Sequence, residues 1–393
     1  MTRKALTLML LLGGCSVPGG AEGATCPALQ STADRGVDSS SALMDCLRRL
    51  AAGARLELKP GVYRIERPIR IQKPVTIASA GLAVGSPGCG TSGTRCATLR
   101  IDIGSGVSAK RTMPIEVAGD NITFSHLVID GSGLSPARRR LCATPELRPL
   151  GGGIRVSGSG FSLRNSRLRN IACYTALEVV TGAKNPVITG NVIGPNGDHR
   201  PGENWSDGVT VHDSAGAEVS GNLFIDNTDV QLIFGGCREC RIVGNRFRHS
   251  GTFRGGAFAE LMIHAWPSSS GDYKGTVVER NDVNCGPLRR CGYGIMIGSS
   301  PWYDRPVRGG RVKGNRVANA RIGLNVDSLD GPTQISGNVV TNSGGRFRSD
   351  CGTRNWPAAN VAPGSRRFVV GDPSNLEEGS VATAHCLLNR DDK

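Results

Sequence analysis

Between residues 113 and 345 one short phrase returns seven times: an apolar alternation, a turn, then a second alternation that carries an asparagine. Ile154-Arg155-Val156 leads to Asn165, Ala176-Leu177-Glu178-Val179 to Asn191, Gly208-Val209-Thr210-Val211 to Asn222, and Leu232-Ile233-Phe234 to Asn245. Leu261-Met262-Ile263 leads to Asn281, Ile295-Met296-Ile297 to Asn315, and Leu324-Asn325-Val326 to Asn338. The asparagines are 26, 31, 23, 36, 34 and 23 residues apart, a minimum near 23 with irregular additions. A unit this short cannot bury its own apolar face, so such units stack on one another. Asparagine suits the bend because it tolerates left-handed backbone angles, and stacked amides can bond from coil to coil. These features predict an all-β solenoid, a parallel β-helix built from a single chain, with insertions that do not disturb the stack.

Composition agrees. Aromatic residues are 5% of the chain while glycine supplies 55 of 393, which suits many tight turns better than a helical bundle. Residues 25–82 read as an N-terminal capping module. Asp38-Ser39-Ser40-Ser41 opens a short helix, Ala42, Leu43, Cys46, Leu47 and Leu50 follow at helical spacing, and strands Arg55–Leu58 and Val62–Ile65 flank Pro60-Gly61. Residues 83–345 form the predicted solenoid. Residues 346–393 form a C-terminal cap and tail, with a strand expected at 367–370.

The first 15 residues read as an export signal: Arg3 and Lys4, an apolar run from Ala5 to Leu12, then Leu12-Gly13-Gly14-Cys15. The last four resemble the bacterial lipobox, which implies lipidation at Cys15 and, with Ser16 following, an outer-membrane anchor. An ordinary signal cut near Ala24 is the other reading, and both carry the mature chain out of the cytoplasm. Twelve cysteines remain beyond Cys15, an even number where disulfides persist. Sequence-near couples are Cys26/Cys46, Cys89/Cys96, Cys142/Cys173, Cys237/Cys240, Cys285/Cys291 and Cys351/Cys386. Cys237-Arg238-Glu239-Cys240 also has a spacing used in redox or zinc chemistry, though no second such motif accompanies it.

Net charge is +14, and only eight of the 47 basic residues are lysine. Arginine binds carboxylates through a planar fork. In an exported chain this points to an acidic polysaccharide as partner rather than nucleic acid; a solvated surface that merely favours arginine is the alternative.

The densest ionisable set falls in the central units. Asp207, Asp229 and Glu260 each open or precede a strand, so stacking should bring them to the mouths of adjacent coils. Alternation turns Thr210 and His212 outward with Val209 and Val211 inside, and likewise Met262 and His264 outward. Stacked carboxylates push one another's pKa values apart, which suits an acid/base group or a calcium cage. No metal ligand set is assigned, and calcium is the one cofactor kept in view. Arg254, Arg289, Arg290, Arg305 and His264 add positive or titratable groups for a uronate. Trp205, Trp266 and Trp302, with Tyr303, can stack on sugar rings.

Two stretches carry a family resemblance. Val37-Asp38, the short helix and Pro60-Gly61-Val62-Tyr63 resemble the N-terminal segment of the pectate-lyase-like superfamily, which implies a right-handed parallel β-helix. Ser206-Asp207-Gly208-Val209, Asn227-Thr228-Asp229-Val230 and Arg248-His249-Ser250-Gly251 resemble, in order and spacing, three motifs of polygalacturonase-type glycosidases. The resemblance implies Asp207 and Asp229 as catalytic carboxylates and His249 as their supporting base. It departs where the proton-donating aspartate of the family falls on Thr228, and no Arg-Ile-Lys motif follows. The expectation is an exported protein that cleaves an anionic polysaccharide by lyase or hydrolase chemistry, with catalytic candidates Asp207, Asp229, Glu260, His249 and His264. Substrate-binding candidates are His212, Arg254, Trp205, Trp302 and Arg305. The alternative is a non-catalytic glycan-binding or structural solenoid.

Overall fold

The computed structural model describes residues 24–379, apart from 105, 107–108, 134, 199–203, 252–255, 350–351 and 373–374. Each coil contributes one strand to each of three parallel sheets of 11, 10 and 11 strands. One coil runs Glu218–Ser220 in the first sheet, Leu223–Ile225 in the second and Asp229–Arg238 in the third, then returns as Arg241–Val243 beside its own start. The result is a right-handed parallel β-helix.

Alternation sets the inside. Val209, Leu232, Leu261, Ile295 and Leu324 pair in consecutive strands of the third sheet and are all buried, as are Val211, Phe234, Ile263, Ile297 and Val326. Like side chains stack along the axis, and Phe224 and Phe247 lie face to face at 4.9 Å with ring planes 7° apart. Each such side chain taken from water contributes about 1.5–3 kcal/mol. No single coil could hold this core alone.

The corner between the first and second sheets carries the asparagine row. Each side-chain amide donates to the next side-chain oxygen along Asn191, Asn222, Asn245, Asn281, Asn315 and Asn338, at 2.8–3.0 Å. Each also accepts a backbone N–H from the coil before it. The preceding residue takes a left-handed angle, supplied by Gly221 and Gly244 but also by Arg280 at φ 54°. Asn165 is corrected by this geometry. It occupies the left-handed corner, at φ 50°, and Ser166 takes the ladder place, its backbone N–H donating to Asn191 Oδ1.

The expected module boundaries also move. Strands Arg55–Leu58, Gly61–Ile65 and Ile69–Ile71 are already the first rungs of the three sheets, so the solenoid starts near residue 55 rather than 83. At the other end Ala359–Val361, Val369–Gly371 and Glu377–Glu378 extend it past 345. Hydrophobic alternation in these stretches has no asparagine beside it to mark it as part of the stack. The true N-terminal cover is the helix Ser40–Arg49, which buries Leu43, Cys46 and Leu47. A hairpin, Gly345–Ser349 with Gly352–Trp356, follows the last full coil.

Five expected disulfides form: Cys26–Cys46, Cys89–Cys96, Cys142–Cys173, Cys237–Cys240 and Cys285–Cys291. Cys237 and Cys240 thus close a bridge rather than bind zinc. Cys15, the Cys351/Cys386 couple and the signal segment lie outside the described residues. No helix among the described residues is long and apolar enough to cross a membrane.

Candidate functional site

The outer face of the third sheet gathers the ionisable groups. One outward column runs Glu116, Arg155, Glu178, Thr210, Ile233, Met262, Met296 and Asn325. Its character changes along the axis from charged to apolar. The change falls between the strands Ser206–Ala215 and Asp229–Arg238, where the aspartates stand.

Asp207 and Asp229 sit at the openings of those two strands, both half-buried. Asp207 Oδ1 accepts from the Val230 backbone N–H at 3.1 Å, and Oδ2 accepts from the Thr210 hydroxyl at 2.9 Å. Burial, followed by the charge of Asp229, raises the Asp207 carboxyl well above its ordinary range. Burial lifts Asp229 to about 6, and the Arg148 guanidinium works against it. Both shifts run upward, and the two aspartates titrate as a coupled pair. Arg148 lies 4.1 Å over the Trp205 ring, so one of the expected sugar platforms is occupied by a cation. Asp229 and Tyr174 both hold φ 75°, an angle that side-chain-bearing residues keep only when their surroundings enforce it.

One coil earlier lies a cluster that the sequence reading did not assemble. Glu178 Oε1 accepts from Tyr174 OH at 2.9 Å and from His212 Nε2 at 2.9 Å, and Oε2 accepts from Arg155 Nε at 2.5 Å. Burial alone would raise Glu178, but His212 and Arg155 outweigh it and hold the carboxyl below its ordinary value. Burial and then Glu178 push Tyr174 up to about 12. The missed signal was parity: Arg155 and Glu178 each stand between two apolar residues that point inward, as Thr210 does. His212 meets Trp266 edge to face at 5.1 Å.

Glu260 and His249 are placed differently from the expectation. Glu260 is fully buried, accepting from Gln231 Nε2 at 2.5 Å and bonded to His249 Nε2 at 2.8 Å. On the other side of the ring, His249 Nδ1 is 3.3 Å from Asp226 Oδ1, an ion-pair distance without hydrogen-bond alignment. Burial would lower the His249 pKa, yet the two carboxylates raise it to about 9. The ring, clamped between two carboxylates and closed off from solvent, ties Asp226 to Glu260 within the coil. Because Glu260 turns into this triad, the expected cage of Asp207, Asp229 and Glu260 is not assembled. Glu260 also approaches Cys285 and Cys291, but those sulfurs are joined in a disulfide and offer no thiolate to a metal. Among the described residues this group, with one carboxylate and no further oxygen donor, does not make a calcium site.

His264 faces outward by parity but is covered. Nδ1 is bonded to Gly298 O at 2.6 Å, and Trp266, Trp302 and Tyr303 surround the ring at 5.7–6.0 Å. Burial brings its pKa down to about 4, so it is neutral. Trp302 and Tyr303 remain 37% and 43% exposed. Arg305 stands at the edge of this aromatic patch, its guanidinium reaching Ser269 O at 3.4 Å. Arg254 lies outside the described residues.

A family profile for the right handed beta helix region matches residues 86–260. No curated protein matches the sequence. Among solved structures, an endo-xylogalacturonan hydrolase from Aspergillus tubingensis is 14% identical, with 93% of this chain and 97% of that one covered at a TM-score of 0.56. A hyperthermoactive exopolygalacturonase from Thermotoga maritima is 10% identical, with 84% and 89% covered at 0.57. The Dettilon tailspike protein is 13% identical at 0.53; 88% of this chain matches and spans 65% of the tailspike. What these likenesses share with the chain is its fold: it is a right-handed parallel β-helix.

Proposed function

We propose that this chain cleaves an anionic, uronic-acid-type polysaccharide on the outer face of the third sheet, with Asp207 as proton donor and Asp229 as its partner. The pair itself carries the reading. Two carboxylates stand at consecutive strand openings, and their pKa values are displaced upward by burial, in Asp207 also by the charge of Asp229. A carboxyl raised in this way holds its proton more tightly than an ordinary aspartate and can give it to a leaving glycosidic oxygen. Arg148 acts on both aspartates and supplies positive charge beside them. The exposed Trp302 and Tyr303 provide surfaces on which sugar rings can stack further along the axis. Polygalacturonase and xylogalacturonan hydrolase structures on the same fold, which act on uronate polymers by name, fit this reading.

The test is the purified protein incubated with polygalacturonate, polymannuronate and polyglucuronate, with new chain ends measured. Asp207→Asn should lower turnover by about 10²–10⁴, the range for losing a positioned acid, without lowering the melting temperature. Binding of these polymers with no new ends would return the chain to the glycan-binding alternative. We also read residues 1–15 as a lipoprotein-type signal with an outer-membrane anchor at Cys15. Five disulfides fit an oxidising compartment. Cys15→Ser should then move the protein from the membrane fraction to the soluble one.

A further inference from the structure

The geometry points to His212, held by Glu178, as the catalytic base of a β-elimination on a uronate, with Asp207 as the acid. This rests on the polysaccharide-cleaving reading above and names its reaction class. The hydrogen bonds fix the tautomer. Glu178 already accepts from Tyr174 OH and Arg155 Nε, and a carboxylate in that position only accepts, so His212 Nε2 must be the protonated nitrogen. In the neutral ring Nδ1 then carries a lone pair. The His212 side chain is 27% exposed, whereas Glu178 beneath it is only 5% exposed, so the oriented base meets the groove and its orienter does not.

Neighbouring contacts keep the ring in that pose. Asp213 accepts from Ser270 N and Ser270 Oγ, both at 2.8 Å, and so ties the segment 266–270 to the same strand. That segment carries Trp266 against the His212 ring. Gly235 leaves the space for it, since a Cβ there would lie 2.4 Å from Trp266 Cζ2. On the other side Thr210, two residues before His212 and on the same face, bonds Asp207. The Asp207 carboxylate is thus held beside Thr210, which stands two residue rises, ~6.6 Å, from His212 along the same strand.

The step balances with these groups alone. His212 Nδ1 takes the proton from the carbon that bears the uronate carboxylate. The freed pair forms the double bond to the neighbouring C4, which bears the glycosidic oxygen. The C4–O bond breaks, and the leaving oxygen, still bound to the anomeric carbon of the next sugar, takes the Asp207 proton. Arg148 stabilises the carboxylate charge that builds during abstraction. Solvent returns a proton from the imidazolium to the aspartate pair.

The experiment incubates the full chain with oligogalacturonate and oligomannuronate in deuterium oxide, scoring unsaturated ends by ultraviolet absorbance and deuterium at the acidic carbon by NMR. Expected are unsaturated ends from the unaltered protein and a loss of about 10²-fold or more in His212→Gln at unchanged melting temperature. His212→Ala should recover part of its rate with added imidazole, which a merely structural role would not produce. Saturated reducing ends alone would overturn the elimination while leaving cleavage by Asp207 standing. So would full elimination activity in His212→Gln, which would remove the base but not the acid. No product from any polyuronate would overturn both readings together.

Discussion

Replacing Asn245 by alanine isolates what the ladder is worth. The side chain makes four bonds: Oδ1 accepts from Asn222 N and Nδ2 at 3.1 and 2.9 Å, and Nδ2 donates to Val219 O at 2.9 Å and Asn281 Oδ1 at 3.0 Å. All partners are buried, so no water replaces them. At about 1 kcal/mol net for each bond, and 1–3 kcal/mol for each buried group left unsatisfied, the loss should be about 4 kcal/mol. Asn338 provides the internal control. It makes three comparable bonds at the half-exposed end of the row, where water can take over, and its alanine variant should lose about 1 kcal/mol. Urea unfolding followed by far-ultraviolet circular dichroism measures the difference, and amide exchange at Asn222 locates it in the right coil. Equal losses at the two positions, or a loss below about 1 kcal/mol at Asn245, would refute the claim that buried amide bonding holds successive coils in register.

Further outcomes follow from the site. Asp229→Asn should stabilise the protein at alkaline pH relative to the unaltered chain. A carboxyl raised from 3.8 to about 6 contributes stability that is fully present below 3.8 and lost as pH rises through 6, so thermal melts from pH 4 to 8 should diverge upward. His249→Gln should cost about 3–5 kcal/mol by stranding two buried carboxylates, measured by urea unfolding at neutral pH. In the unaltered protein the His249 contribution is complete below 6.5 and disappears as pH rises through about 9, so an alkaline melt should lose a step that the variant lacks. Gly235→Ala should displace Trp266 from His212 and red-shift tryptophan emission while the circular dichroism spectrum stays unchanged, because only a side chain on the outer face has to move.

The solenoid was legible because its cause is periodic. A buried amide row demands asparagine at each corner, and alternating strands demand apolar residues at each inner position, so both leave a trace at a spacing of one coil. Where the corner chemistry changes, the trace is lost. Ser166 joins the row through its backbone N–H to Asn191 Oδ1, while its hydroxyl bonds Arg164 O and Leu127 N instead, and the coils before residue 83 carry no such asparagine. The parity of Thr210, His212, Met262 and His264 was readable for the same reason that the core was.

The site was legible only in part, since what decides a side chain's role is the neighbour it meets; for Glu178 these are Arg155 and His212, 23 and 34 residues away on adjacent coils at distances set by insertions. Asp207 and Asp229 fall at consecutive openings, and register alone brought them together. Glu260 falls inside the next strand, whose opening residue Ala257 pairs with Asp229, and there Gln231 and His249 draw it into a buried cluster. Glu178 lies on a strand whose alternation is plain in the sequence, but its role comes from Arg155 on the preceding coil and His212 on the following one. A column of outward residues written coil under coil, Glu116, Arg155, Glu178, Thr210, would have shown a charged surface ending where the aspartates begin. In a stacked fold the chemistry is spelled along the axis, at right angles to the direction in which the sequence is read.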